Sequence, residues 1–277
     1  MKLPIHPSSI QVIRQLAKQK AQGVVVTGDE GSGLAAAAEE FARSLDATIQ
    51  PVYPIDKKTG QIDVENGTLL VESIRQLYEL TRSKATKPTV VVIYTADRMT
   101  SAAQGAILKL LEEPREDLHF ALLTHRVGDL ASTILSRVSS IHLLPISKDQ
   151  SLQLIKDQGV NDPTKQAQIM FIGAGQPELI IRLASDEDFF QKQSLATKDA
   201  KALLESDAYN KLMIVQRYKD NRQDALRLLD KCLVILRRSI SAKPSVQLAS
   251  KIEALLEAKL QVETGANIRI TLAKHLM

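Results

Sequence analysis

The 277-residue sequence contains no tryptophan, a single cysteine and only 4% aromatic residues. Cys232 alone cannot close an internal disulfide, nor can it supply the thiolate pairs of a structural zinc site. The scarcity of aromatics leaves few platforms on which single-stranded nucleic-acid bases could stack. Nowhere is there an uninterrupted apolar run of about 18 residues, the length that suits a bilayer-spanning helix. The opening segment MKLPIHPSSIQ carries Lys2 but not the apolar core of a signal peptide. A reducing, cytoplasmic setting is therefore the expectation.

What is present is an ordinary globular composition, 44% hydrophobic and 25% charged, which argues against extended disorder or a fibrous chain. At about 150 residues per domain the length suits roughly two domains. The net charge of +4 is small, and the basic excess lies from Ala196 onward. There the lysines and arginines alternate with acids at helical spacing, which is the pattern of a solvated helix face.

Residues Ser8 to Lys20 place Ile10, Ile13, Leu16 and Ala17 on one face, predicting an amphipathic helix capped by Ser8 or Ser9. Val24 to Val26 form a short apolar run that enters a glycine-rich turn, and Leu34 to Leu45 holds strong helix formers throughout. Gln50 to Gly67 is turn-rich, and Ser73 to Thr81 returns to helical spacing. TVVVIY, from Thr89 to Tyr94, is apolar on both faces and predicts a central parallel strand. A helix over Ser101 to Glu113 closed by Pro114, a strand over His119 to Leu123, a short helix over Thr133 to Arg137 and a strand over Ser140 to Leu144 follow. This alternation predicts an α/β domain with a parallel sheet. Beyond Pro145 the pattern becomes helical, near Lys148 to Asp157, Pro163 to Phe171 and Pro177 to Leu183, with Gly173 to Gln176 as a turn. From Thr197 it is all-helical, with Leu226, Leu229, Leu233 and Leu236 on one stripe. No fixed-period repeat stands out.

The glycine-rich turn reads Gly28-Asp29-Glu30-Gly31-Ser32-Gly33-Leu34-Ala35. A phosphate-binding P-loop has the form G-x-x-x-x-G-K-[ST], in which backbone amides cradle phosphates, the lysine contacts the β- and γ-phosphates and the hydroxyl holds Mg²⁺. Gly28 and Gly33 keep the spacing and Gly31 lies between them, but Leu34 and Ala35 stand where the lysine and hydroxyl belong. Asp29 and Glu30 add negative charge beside the cradle. An NTPase of this kind also ends its second apolar strand with an acidic pair; those positions hold Tyr94 and Thr95. Phosphoryl transfer depends on such electrostatic groups, so neither ATP hydrolysis nor a bound nucleotide cofactor is expected. Asp97, the surviving acid, is expected to cap the helix that follows.

The segment from Ala96 to Pro114, ADRMTSAAQGAILKLLEEP, resembles the ADxM-x-x-x-AxNALLKxLEEP signature of sliding-clamp-loader subunits of the AAA+ class. About twenty residues on, Leu130 to Val138, LASTILSRV, is similar to their L-x-T-I-x-S-R-C motif. Gly265 to Ile270 resembles a pattern in the last helix of the bacterial subunits. The resemblance implies an AAA+ ATPase-like domain over 1–145, a small helical lid over 146–195 and a helical collar over 196–277. It implies a noncatalytic stator of the bacterial DNA polymerase III clamp loader, joined to motor and clamp-opening subunits in a hetero-pentamer that meets primer–template DNA and the sliding clamp. Arg137 would then be an arginine finger offered to a neighbouring subunit's ATP, supported by Ser136. The alternatives are a clamp-opening subunit, or an ATPase motor of the same family. Val138 departs from the motif's cysteine. The four zinc-holding cysteines common in such subunits have no counterpart between Leu34 and Thr89, so no metal is expected there. The lid's nucleotide-sensing arginine has no basic residue at its place near Gly175 to Glu178, although Arg182 lies close by.

Overall fold

The computed structural model describes residues 3–80, 87–112 and 117–276. The chain folds into two compact units, Met1–Ala184 and Ser185–Met277.

The first unit opens with α1 (Pro7–Lys18), β1 (Gly23–Thr27), α2 (Leu34–Ser44) and β2 (Thr48–Val52). Then come α3 (Val71–Leu80), β3 (Thr89–Ile93), a 3₁₀ turn (Ala96–Arg98), α4 (Ser101–Glu112), β4 (Leu118–Thr124) and a second 3₁₀ turn (Val127–Asp129). It closes with α5 (Ser132–Leu135), β5 (Ser139–His142), α6 (Lys148–Asp157), α7 (Pro163–Gly173) and α8 (Pro177–Ser185). The five strands form one sheet in the order β2-β3-β4-β1-β5, and every pairing is parallel. Central strands in such a sheet are covered on both sides, which is why GVVVT and TVVVI are apolar without alternation.

Side chains of successive strand residues nevertheless separate to opposite faces. Val25, Val91, Ile93, Phe120 and Leu122 pack with Ile74, Leu77, Ile107 and Ile134. Val24, Val26, Val90, Val92 and Ala121 pack on the other face with Ile13, Ala17, Ala37 and Phe41.

The start of α1 differs from expectation. His6 is the N-cap, its Nδ1 accepting from the Ser8 amide at 3.2 Å, with Pro7 at the first helical position. Ser9 is buried, and its Oγ instead accepts from the Leu144 amide at 3.1 Å. The edge strand β2 is masked in the sequence by Gln50 and Pro51, and a proline without an N–H is tolerated at an edge.

The segment after β2 is not a featureless loop. Ile55-Asp56-Lys57-Lys58-Thr59-Gly60-Gln61 and Ile62-Asp63-Val64-Glu65-Asn66-Gly67-Thr68 are two similar turns, each led by an aspartate, a likeness that sequence reading missed. Asp56 Oδ1 accepts from the Lys58 and Thr59 amides, both at 2.8 Å, and Asp63 Oδ1 from the Glu65 and Asn66 amides at 3.1 and 2.8 Å. Those donors hold the Asp56 carboxyl below its usual range, that of Thr59 most strongly. Carboxylate side chains thus tie down the backbone amides of both turns.

The second unit contains α9 (Glu187–Glu205), α10 (Ala208–Tyr218), α11 (Arg222–Ala242), α12 (Val246–Glu263) and α13 (Ile268–Leu276). Its core joins Leu203, Val215, Leu229, Cys232, Leu233, Leu236, Leu255 and Leu272, with Leu226 of the expected stripe only partly buried. The boundary expected after residue 195 falls inside α9, whereas the compact units part before that helix begins. No helix among the described residues is long and apolar enough to cross a membrane.

Candidate functional site: a closed glycine loop and a braced arginine

β1 delivers the glycine loop to the C-terminal edge of the sheet, beside the point where strand order reverses, the usual ligand crevice of such folds. Gly31 and Gly33 have φ of +81° and +86°, a conformation that favours glycine. A Cβ on Gly28 would stand 2.5 Å from Ser32 Oγ. Gly33 caps α2 without any side-chain bond.

The side chains at the two positions after Gly33 are apolar. Leu34 is 7% exposed and belongs to the core with Val24, Val26 and Phe41, so the position that would carry a cation points into the hydrophobic layer. Ala35 packs partly buried against the same layer. Where an acidic pair would stand, Tyr94 stacks on Tyr53 with ring centroids 4.5 Å apart. Burial, reinforced by Tyr53, raises the Tyr94 phenol to about 12. Thr95 sits in the left-handed region at φ 48°, and its buried Oγ1 has no hydrogen-bond partner among the described residues.

Asp97 does not cap α4. Its Oδ1 accepts from Thr124 Oγ1 at 2.7 Å, tying the end of β3 to the end of β4. Thr100 takes the capping role, Oγ1 accepting from the Ala103 amide at 3.2 Å.

The loop is also covered. The turn before α8 is docked by the Ile146 amide, which donates to Gly175 O at 2.8 Å. From there Gln176 Nε2 donates to Asp29 Oδ2 at 3.1 Å, and the Glu178 amide donates to Gly31 O at 3.0 Å. A Cβ on Gly31 would stand 3.0 Å from Leu179 Cβ. On the sheet side His125 Nδ1 donates to Gly28 O at 2.7 Å. Burial raises the Glu178 carboxyl above its usual range, opposed by His125. Asp29, Glu30 and Glu178 are acids in or against the loop, and Arg182 lies exposed farther along α8. Sequence reading missed the covering contacts because they join residues about 150 positions apart.

Arg137 lies at the other end of the motif pair, in the turn between α5 and β5. Its Nη1 donates to Thr133 O at 2.9 Å and to Ser136 Oγ at 3.2 Å, while Nη2 lies 2.7 Å from Glu112 Oε1. Ser136 Oγ itself donates to Thr133 O at 3.0 Å. The Arg137 side chain is 37% exposed. Val138, in the cysteine's place, packs against the core, and a Cβ on Gly23 would come within 2.9 Å of its Cγ1. That position serves packing.

The two clamp-loader-like motifs meet through α4. Gln104 Oε1 accepts from the Ala131 amide at 2.7 Å and its Nε2 donates to Asp129 O at 3.1 Å, fixing the start of α5. Glu112 grips Arg137 at the other end. Sequence reading missed both interactions, although both residues lie inside the quoted motif. Its last two residues, Glu113 and Pro114, are outside the described residues.

Comparison with known proteins places the chain in a family. Residues 5–147, just over half of the chain, match the family model described as DNA polymerase III, delta subunit. DNA polymerase III subunit delta' of Haemophilus influenzae is 22% identical over 69% of this chain and 64% of its own length. The same subunit of Yersinia pestis is 28% identical over 59% and 50%, and that of Escherichia coli 24% over 52% and 44%. The chain thus spans about half the length of the relatives it matches. Among solved structures, a DNA polymerase III gamma subunit-related protein of Thermotoga maritima superposes with a TM-score of 0.55 at 16% identity, covering 97% of each chain. The RuvB Holliday junction branch migration motor of the same organism superposes at 0.51 and 17% identity, over 84% of this chain and 78% of its own. The fold is therefore AAA+, an α/β domain followed by helices, and the chain belongs to the DNA polymerase III delta-prime subunit family.

Proposed function

We propose that this chain is a noncatalytic stator of the DNA polymerase III clamp loader, which binds no ATP productively and lends Arg137 as an arginine finger to ATP held by a neighbouring motor subunit. The observation that carries this reading is a pairing within one unit. The glycine loop has no cation and is covered by α8, while Arg137 is exposed, braced and charged. A guanidinium aimed at charge developing on a transferring phosphoryl group is worth ~10³–10⁵ in rate when supplied in trans.

On this reading α6 to α8 act as the lid, held shut by contacts with the loop rather than by nucleotide. Helices α9 to α13 form the collar that joins motor and clamp-opening subunits in a hetero-pentamer. DNA and the sliding clamp are met through the assembly, in the cytoplasm. The test has two arms. The purified chain is expected to show no magnesium-dependent ATP turnover, and Arg137→Ala to lower the DNA- and clamp-stimulated ATPase of the reconstituted complex without preventing assembly. Turnover by the lone chain, or an undiminished ATPase with Arg137→Ala, would overturn the reading.

A further inference from the structure

We propose that Glu112 is a positioning residue for Arg137, an inference that rests on the arginine-finger reading above. Glu112 is the last described residue of α4, and its Oε1 lies 2.7 Å from Arg137 Nη2. Both side chains are solvent-accessible, 48% and 37% exposed. Exposed ion pairs of this kind contribute little to folding stability. What the pair does here is geometric.

An exposed arginine ordinarily samples many rotamers, and each must be given up when it meets its target. In this turn three acceptors fix the guanidinium plane beforehand: Thr133 O and Ser136 Oγ on Nη1, and Glu112 Oε1 on Nη2. The first two belong to the same short turn as Arg137 and move with it. Glu112 comes from a different element, and so relates the guanidinium to the rigid body of the domain. α4 buries Ala103, Ile107, Leu110 and Leu111 against the sheet, and Gln104 holds the start of α5. Nε–H carries no bond among the described residues, which leaves a donor for an incoming anion on a side edge of the fork.

A catalytic group misplaced by about 1 Å can cost ~10²-fold in rate. Loss of the brace is therefore smaller than loss of the finger, and it acts on turnover rather than on nucleotide affinity. The experiment uses the complete clamp-loader complex reconstituted with Glu112→Ala, Glu112→Gln, Arg137→Ala and the double alanine variant. ATP hydrolysis at the site adjoining this subunit is measured as kcat and KM.

Glu112→Ala is expected to lower kcat ~10-fold or more with KM for ATP unchanged. Glu112→Gln, which keeps an oxygen acceptor of the same reach, is expected to recover most of that loss. In the Arg137→Ala background Glu112→Ala is expected to have no further effect. An unchanged or raised kcat for Glu112→Ala alongside a large loss for Arg137→Ala would overturn the positioning role while sparing the finger. A further loss in the double variant, or failure of glutamine to recover activity, would overturn it equally. No loss for Arg137→Ala defeats the finger reading itself, which is a distinguishable result.

Discussion

Closure of the glycine loop by α8 can be measured with a matched pair of glycine substitutions. Gly31 and Gly60 both have left-handed backbones, φ +81° and +69°. Placing alanine there costs roughly 1–2 kcal/mol for backbone conformation alone. Their surroundings differ. At Gly60 a Cβ would meet nothing within 4 Å, whereas at Gly31 it would stand 3.0 Å from Leu179 Cβ and 3.2 Å from the Leu179 amide nitrogen. Crowding of that order adds about 1–3 kcal/mol, since a backbone atom cannot swing aside. Gly60→Ala should therefore cost about 1–2 kcal/mol and Gly31→Ala about 2–5 kcal/mol in urea unfolding. Hydrogen exchange at the Glu178 amide, which donates to Gly31 O, should accelerate in Gly31→Ala and stay unchanged in Gly60→Ala. Equal costs at the two sites, with Glu178 exchange unmoved, would refute the packing of α8 on the loop.

Other predictions concern the helical unit and the titrating groups. Asp199 is buried, accepts from Arg217 Nη1 at 2.8 and 2.6 Å and from Tyr218 Oη at 2.9 Å. Asp199→Ala should destabilise by about 2–4 kcal/mol by stranding the Tyr218 hydroxyl, and much less in the Tyr218→Phe background, as read by urea unfolding of the variants. Burial pushes the Cys232 thiol up to about 12. Thiol reagents at pH 8 should therefore modify it at the rate of unfolding rather than on contact. The phenols of Tyr94 and Tyr218 are both raised by burial. Raised acids are neutral in the folded state, so their stabilisation is complete below pH ~10 and drains away as pH rises through the folded values. Thermal melts between pH 9 and 12 should fall progressively, and less so for Tyr94→Phe.

Much of this architecture is legible because apolar runs bounded by glycine and proline mark buried strands without ambiguity. TVVVI and the helix formers after Gly33 could hardly be anything else. Thr48–Val52 escapes such reading because an edge strand lacks two buried faces and tolerates Pro51. The tandem turns at Ile55–Thr68 escape it because their logic is an aspartate bonding amides two and three residues on, not a hydrophobic period. At the candidate site, the missing lysine and hydroxyl at Leu34 and Ala35 can be read by position. That Leu34 turns into the core, that Gln176 and Glu178 bond to the loop, and that Glu112 grips Arg137 are facts of tertiary packing. The capping role expected of Asp97 fails for the same reason, since Thr124 competes for its carboxylate from a strand 27 residues away.

The most direct test of the proposed finger is single-turnover ATP hydrolysis by the reconstituted clamp-loader assembly, with and without Arg137→Ala. A ~10³-fold or greater loss with nucleotide still bound is the predicted result. Hydrolysis at the original rate would contradict it.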